Sequence, residues 1–95
     1  MVERAKARHI QVSDEPACKN LIDQLLAGAD FEALARQYSL CTTGRHGGDL
    51  GLFSQGQMGE AIDQAVFQGD VGLLYGPIQS EHGFHVVQVL ERRAT

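Results

Sequence analysis

From Arg4 to Val12 the chain alternates, with Ala5, Ala7, His9 and Gln11 on one side and Lys6, Arg8, Ile10 and Val12 on the other. That period of two predicts a first strand. The period then changes: Ala17/Cys18, Leu21/Ile22 and Leu25/Leu26 recur as paired apolar positions at helical spacing. They follow Ser13-Asp14-Glu15-Pro16, which supplies capping side chains and an early proline, so a helix starts there. Gly28 can end it in the left-handed conformation, and Asp30 can cap a second helix that buries Phe31, Leu34, Ala35 and Tyr38.

Residues 39–48 lose all periodicity and collect small, polar and glycine residues, which predicts a loop, or a loop with one short turn of helix. Asp49 to Ser54 reads as a short strand whose internal Gly51 suggests close backbone approach, and Gln55-Gly56-Gln57 turns the chain. Glu60 to Phe67 predicts a brief helix with Met58, Ile62, Ala65 and Val66 on one side, ended by Gly69-Asp70. Gly76-Pro77-Ile78-Gln79 starts an extended segment, Glu81-His82-Gly83 turns, and Phe84 to Leu90 is β-branched enough to pair back as a hairpin. The order strand, two helices, strand, helix, strand, strand predicts an α+β fold. Its expected form is a four-stranded, mostly antiparallel sheet surrounded by about four short helices.

Length and composition narrow the function classes. Ninety-five residues, 43% hydrophobic and 21% charged, suit one compact domain spanning 1–95. No apolar run is long enough to cross a bilayer, so no membrane is expected. Met1-Val2-Glu3-Arg4 does not read as a signal peptide, and the cytoplasm is the expected location. A net charge of −4 with scattered basic residues argues against nucleic acid as a partner. Cys18 and Cys41 lack metal or disulfide spacing and are expected to be reduced thiols.

The polar residues that stand out are His9 in the first strand, His85 in the last, Cys41 in the loop and Ser80 beside the hairpin turn. Taken singly, a histidine in a strand is more often a satisfied structural residue than a functional one. Two chemistries can be written for the set without further context. One is a cysteine hydrolase using Cys41 with His9 or His85 and Asp49, on spacings that arise by chance in many small proteins. The other is a metal site of His9, Cys41, His46 and His85, which has no short ligand pair to anchor it.

The chain also resembles the parvulin family of peptidyl-prolyl isomerases. The resemblance is carried by Ala-Arg-His9-Ile, by Gly-Ala-Asp-Phe-Glu-Ala-Leu-Ala-Arg-Gln-Tyr-Ser-Leu-Cys41, and by Gly47-Gly48-Asp49-Leu50-Gly51-Leu52-Phe53. Gln55-Gly56-Gln57-Met58, Val66-Phe67, Gly76-Pro77-Ile78 and Gly83-Phe84-His85-Val86-Val87 follow in the family's order, across nearly the whole chain. It implies two histidines on neighbouring central strands, hydrogen-bonded to each other, in the persons of His9 and His85, with Cys41 close by. It implies a Ser80 hydroxyl near the first histidine, His9, an architectural Gly76-Pro77 pair, and Leu50, Phe53 and Met58 lining or supporting an apolar proline pocket. It further implies no metal, no cofactor, a monomer, and proline-containing polypeptides as clients.

Two positions depart from the family's pattern. Ile62 and His82 stand where relatives usually or often carry an aromatic, so both pocket positions are expected to bind substrate with altered strength. A binding module for proline-containing or apolar segments, without catalysis, is the alternative those departures open. Phosphate-dependent relatives carry basic residues after the first strand, whereas Asp14 and Glu15 stand here, so independence of phosphorylation is expected.

Overall fold

The computed structural model describes residues 3–94. Met1 and Val2, on which the reading of the N-terminus partly rests, lie outside the described residues. The elements run β1 (Glu3–Val12), α1 (Glu15–Leu26), α2 (Phe31–Tyr38), the 3-10 helix η1 (Thr42–His46), β2 (Asp49–Ser54), α3 (Glu60–Gln68), β3 (Leu74–Ser80) and β4 (Gly83–Ala94). The four strands form one sheet in the order β2-β1-β4-β3, every pair antiparallel. The expected α+β architecture is therefore observed, with η1 as the turn of helix inside the 39–48 loop.

Local chemistry fixes the helix starts. The Asp14 carboxylate accepts the Ala17 N–H at 2.8 Å and the Asp30 carboxylate accepts the Ala33 N–H at 3.1 Å, each satisfying one of the donors a helix leaves unpaired at its start. Pro16 sits in the first turn of α1, where its missing N–H is not needed. The hairpin between β3 and β4 closes tightly, with Ser80 opposite Gly83.

The pleat of the central strands then sorts side chains onto two faces. Ala5, Ala7, Val87 and Val89 point to one face and pack with Phe53 and with Ile62, Val66 and Phe67 of α3. Ile10, Val12 and Val86 point to the other and pack under Cys18 and Leu21 of α1 and Phe31, Leu34 and Ala35 of α2. Phe53 and Phe67 meet edge to face, with ring centroids 5.8 Å apart. Arg8 lays its guanidinium 4.5 Å over the Phe31 ring, so a charged residue covers the rim of the second core.

Several expectations are corrected. Leu26 is 73% exposed and Tyr38 45% exposed, because the buried stripes of α1 and α2 end one turn earlier. Phe67, rather than Ala65, completes the buried side of α3. β3 begins at Leu74 and β4 continues to Ala94, beyond the segments read from the sequence. Gly51 meets nothing that a Cβ would touch; its φ of +71° is what requires glycine there. Close approach belongs instead to Gly48, where a Cβ would collide with the His9 carbonyl oxygen.

Candidate active site

Gly48 also accepts the His9 backbone N–H at 2.9 Å, which ties the end of the η1 loop to β1 beside the histidine. Across the central seam, Gln11 of β1 pairs with His85 of β4, and His9 pairs with Val87. The two histidines are thus diagonal neighbours on the same face, close enough for their rings to meet. Their Nδ1 atoms are 3.1 Å apart and their planes are within 12° of parallel. Each ring has its second nitrogen engaged as well: His9 Nε2 lies 3.0 Å from Thr43 Oγ1 of η1, and His85 Nε2 lies 2.6 Å from Ser80 Oγ of β3. The His82 backbone N–H donates to the same Ser80 oxygen at 3.2 Å. One hydrogen-bonded chain therefore runs from η1, through both central strands, to the β3–β4 turn.

Both rings are almost wholly withdrawn from solvent, His9 4% and His85 3% exposed. Burial is the main reason His9 is pushed down to about 4, with repulsion from His85 adding to it. His85 is lowered by burial first and by the nearby His82 second. Both shifts favour the neutral rings at pH 7. Two neutral rings joined Nδ1 to Nδ1 must divide the roles of donor and acceptor between them.

Cys41 is half-buried at the start of η1. Burial raises its thiol, but hydrogen bonds from the side chains and backbones of Thr43 and Thr42 outweigh that and hold it below the ordinary cysteine value. Cys18, wholly buried on the inner face of α1, is pushed the other way, up to about 11, by burial and then by the charge of Glu15. Both cysteines are free thiols.

A cleft of about 470 Å³ opens against the His85 and Ser80 end of the chain, walled by Met58 and Ile62 and rimmed by Glu60, Glu81 and His82. Of the nine residues singled out from the sequence, this cleft gathers Ser80, His85, Met58, Ile62 and His82, and the hydrogen-bonded chain adds His9. Leu50 and Phe53 do not line it. Phe53 is buried, Leu50 packs against the same apolar cluster, and Met58 and Ile62 join both to the cleft wall. Cys41, the residue that precedes η1, is also outside the cleft. Thr43 itself was missed, although its position two residues after Cys41, in a loop already suspected of a helical turn, was a usable signal.

The two other chemistries lose their geometry here. Asp49 spends its carboxylate on the Gly51 N–H at 2.8 Å, and both nitrogens of each histidine are occupied by groups other than sulfur, so no cysteine-histidine-aspartate relay forms. His46 is exposed on η1, and among the described residues no three metal-binding side chains converge. No helix among them is long and apolar enough to cross a membrane.

The chain is similar to several known proteins. The foldase protein PrsA 2 of Bacillus cereus is 40% identical over 90 residues, covering 94% of this chain and 32% of that protein. The foldase PrsA of Bacillus subtilis is 34% identical over 91 residues, covering 95% and 31%. The chain thus spans about a third of the length of these curated relatives. Among solved structures, the peptidylprolyl isomerase PrsA of Bacillus anthracis superposes with a TM-score of 0.94 at 35% identity, over 98% of this chain and 43% of that one. NmPin, the parvulin of Nitrosopumilus maritimus, superposes at 0.85 with 30% identity, over 94% of this chain and 97% of that one. The family model described as the PPIC-type PPIase domain matches residues 1–93, and with the paired histidines in place the chain belongs to that family, the parvulins.

Proposed function

We propose that this chain is a peptidyl-prolyl cis/trans isomerase domain, acting without covalent chemistry on X-Pro bonds in unfolded or flexible polypeptides. The observation that carries the reading is the unbroken chain Thr43, His9, His85, Ser80 ending at a cleft walled by Met58 and Ile62. Rotation about the prolyl amide must break its resonance, against a barrier of about 18–20 kcal/mol. In the twisted state the prolyl nitrogen regains its lone pair and the carbonyl loses delocalisation. A site with fixed dipoles and little water binds that state in preference to either planar form. The buried, neutral histidine pair supplies the fixed dipoles, and the apolar wall holds the pyrrolidine ring. A barrier lowered by about 5 kcal/mol gives on the order of a thousandfold acceleration.

Cys41 takes part electrostatically in this reading, through the hydroxyl-rich turn that connects it to His9, and not as a nucleophile. A Cys41→Asp variant keeps measurable activity; complete loss in a folded variant counts against that role. All groups in the chain come from one copy of the molecule, so the reading needs no second subunit. Polypeptide clients are supported by the relatives named as foldases.

Independence of phosphorylation has two supports. Asp14 and Glu15 occupy the start of α1, both exposed, and Glu60 and Glu81 rim the cleft, which no lysine or arginine lines. The two rim carboxylates repel a phosphate brought into the cleft, and the start of α1 offers it no basic side chain. The test is exchange NMR on short X-Pro peptides without a coupled protease, beside His9→Asn and Met58→Ala variants. Line broadening at the prolyl resonances that weakens in both variants supports the enzyme, and binding without exchange replaces it with a holding module. A marked preference for phosphoserine-proline over uncharged peptides overturns the phosphate-independent part.

A further inference from the structure

The start of α3 is built differently from those of α1 and α2. Asp14 and Asp30 turn their carboxylates onto the first N–H groups of their own helices, whereas the residue before α3 is Gly59, which has no side chain to do so. Asp63, an acidic residue of the first turn of α3, sends its carboxylate out of the helix, where Oδ2 accepts the N–H of Gly56 in the preceding loop. The backbone N–H of Asp63 donates to the Gly59 carbonyl at 3.0 Å. One residue of α3 therefore holds the loop on both sides of Gln57-Met58, and Met58 is the half-buried side chain that walls the cleft.

Packing does not restrain this stretch at either end. Gly56 and Gly59 have φ values of +89° and +88°, and a Cβ built on either would meet nothing within 4 Å. Two glycines in open space bracket the methionine, and such a segment stays ordered only if hydrogen bonds offset its conformational entropy. Gln57 supplies two of them, its Oε1 accepting the Ser54 N–H at 2.8 Å and its own N–H donating to the Ser54 carbonyl at 3.3 Å. Those close the turn on itself. The Asp63 contacts are the ones that tie it to α3, the helix that carries Ile62, the second apolar wall residue.

The tie adds little to the stability of the fold, because the Gly56 N–H lies in an exposed turn where water can replace the carboxylate. The other carboxylate oxygen, Oδ1, takes no hydrogen bond from the described residues. Asp63 does not line the cleft; it lines a separate hollow of about 290 Å³ with Gln55, Gly56 and Phe67. We propose that Asp63 is a positioning residue of the cleft, clamping the Gly56–Gly59 loop onto α3 so that Met58 is in place for the prolyl ring before a client arrives. The inference deepens the isomerase reading and rests on the same cleft. A preset loop loses no free energy to reordering on binding, whereas a loose one presents Met58 correctly for a fraction of the time, and apparent affinity falls by that fraction. Asp63 makes no hydrogen bond to the histidine chain, so the rotation step itself is left alone.

Met58 reports on the clamp directly. The chain has two methionines, and in protein labelled at the methionine methyl groups the Met58 resonance is the one missing from Met58→Ala. In Asp63→Ala, without substrate, that resonance is expected to sharpen and to lose its cross-peaks to the apolar cluster against which Met58 packs, while the thermal midpoint stays within about 4 °C of the parent's. KM for X-Pro peptides is expected to rise about fivefold, with kcat within about twofold. If peptides bind without being turned over, the same fivefold is measured in Kd, so the clamp and the isomerase reading fail separately. Asp63→Asn, which keeps an oxygen for the Gly56 N–H, restores both the resonance and the affinity. Should Asp63→Ala fail to fold, Asp63→Ser, one atom too short, is measured in its place, and loss of the fold in both variants makes Asp63 structural and overturns the proposal. A folded variant with an unchanged Met58 resonance overturns it too, as does a loss confined to kcat, or an Asp63→Asn protein as loose as Asp63→Ala.

Discussion

His9 and Ile10 are neighbours in the chain, as are His85 and Val86, yet the pleat sends each pair into opposite environments. All four side chains are almost fully buried. On the α1–α2 face burial meets apolar partners: Ile10 and Val86 pack with Cys18 and Phe31, and the Cys18 thiol is held protonated. On the α3 face burial meets polar partners, and every ring nitrogen of the histidine pair has one. Burial of a polar group costs free energy unless a hydrogen bond replaces water, so the second face is only as stable as its hydrogen-bonded chain is complete. The contrast separates what holds the fold together from what the site does.

Removing apolar volume from the first face gives the largest expected effect. Ile10→Ala, at a position with no exposed surface, should destabilise by about 3 kcal/mol in urea denaturation. Isomerisation per folded molecule should be unchanged, and a parallel loss of specific activity would break the separation of the two faces.

Acid should act on the second face through its histidines. The folded histidines have lowered pKa values, so their neutral forms contribute stability that is complete above the unfolded value near 6.5 and is lost as pH falls toward about 4 for His9. At about 1.4 kcal/mol per unit, His9 contributes on the order of 3 kcal/mol to that loss. Urea midpoints measured at intervals from pH 7 to pH 4 should fall steeply in the parent and in Ile10→Ala, and less steeply in His9→Asn. An unchanged slope in His9→Asn would place the acid sensitivity elsewhere.

Two smaller effects sharpen the picture at the cleft. Met58→Ala, at a half-buried wall position, should lower kcat/KM about tenfold, with a stability change of about 1 kcal/mol or less. Smallest are the rim charges: Glu60→Lys with Glu81→Lys should leave uncharged peptides within about twofold while improving relative turnover of phosphoserine-proline peptides severalfold, an effect that added salt should suppress. No shift in that ratio would show that the rim carboxylates do not screen substrates.

The sequence made the local elements legible because their causes are local. Asp14 and Asp30 cap the helices they precede, and the alternation of β1 placed His9 and Ile10 on opposite sides. The exposure of Leu26 and Tyr38 was not legible, since the end of a buried stripe depends on where the neighbouring layer stops. Gly51 was identified as special for the wrong reason, because a positive φ and a close backbone contact both call for glycine and leave the same letter in the sequence. The resemblance gives Leu50, Phe53 and Met58 one role, lining or supporting the pocket, and only packing separates the buried ring of Phe53 from the cleft wall.

By itself, then, the order of residues determined the strands and helices, the two faces of β1, and through the resemblance the pair of histidines to look for. Tertiary structure decided that the pair meets, that Thr43 and Ser80 complete its hydrogen bonding, and that the cleft opens at the Ser80 end. The reason is separation along the chain. His9 and His85 are 76 residues apart and His9 and Thr43 are 34 apart, so their contact is set by strand pairing and loop closure, which no local period records.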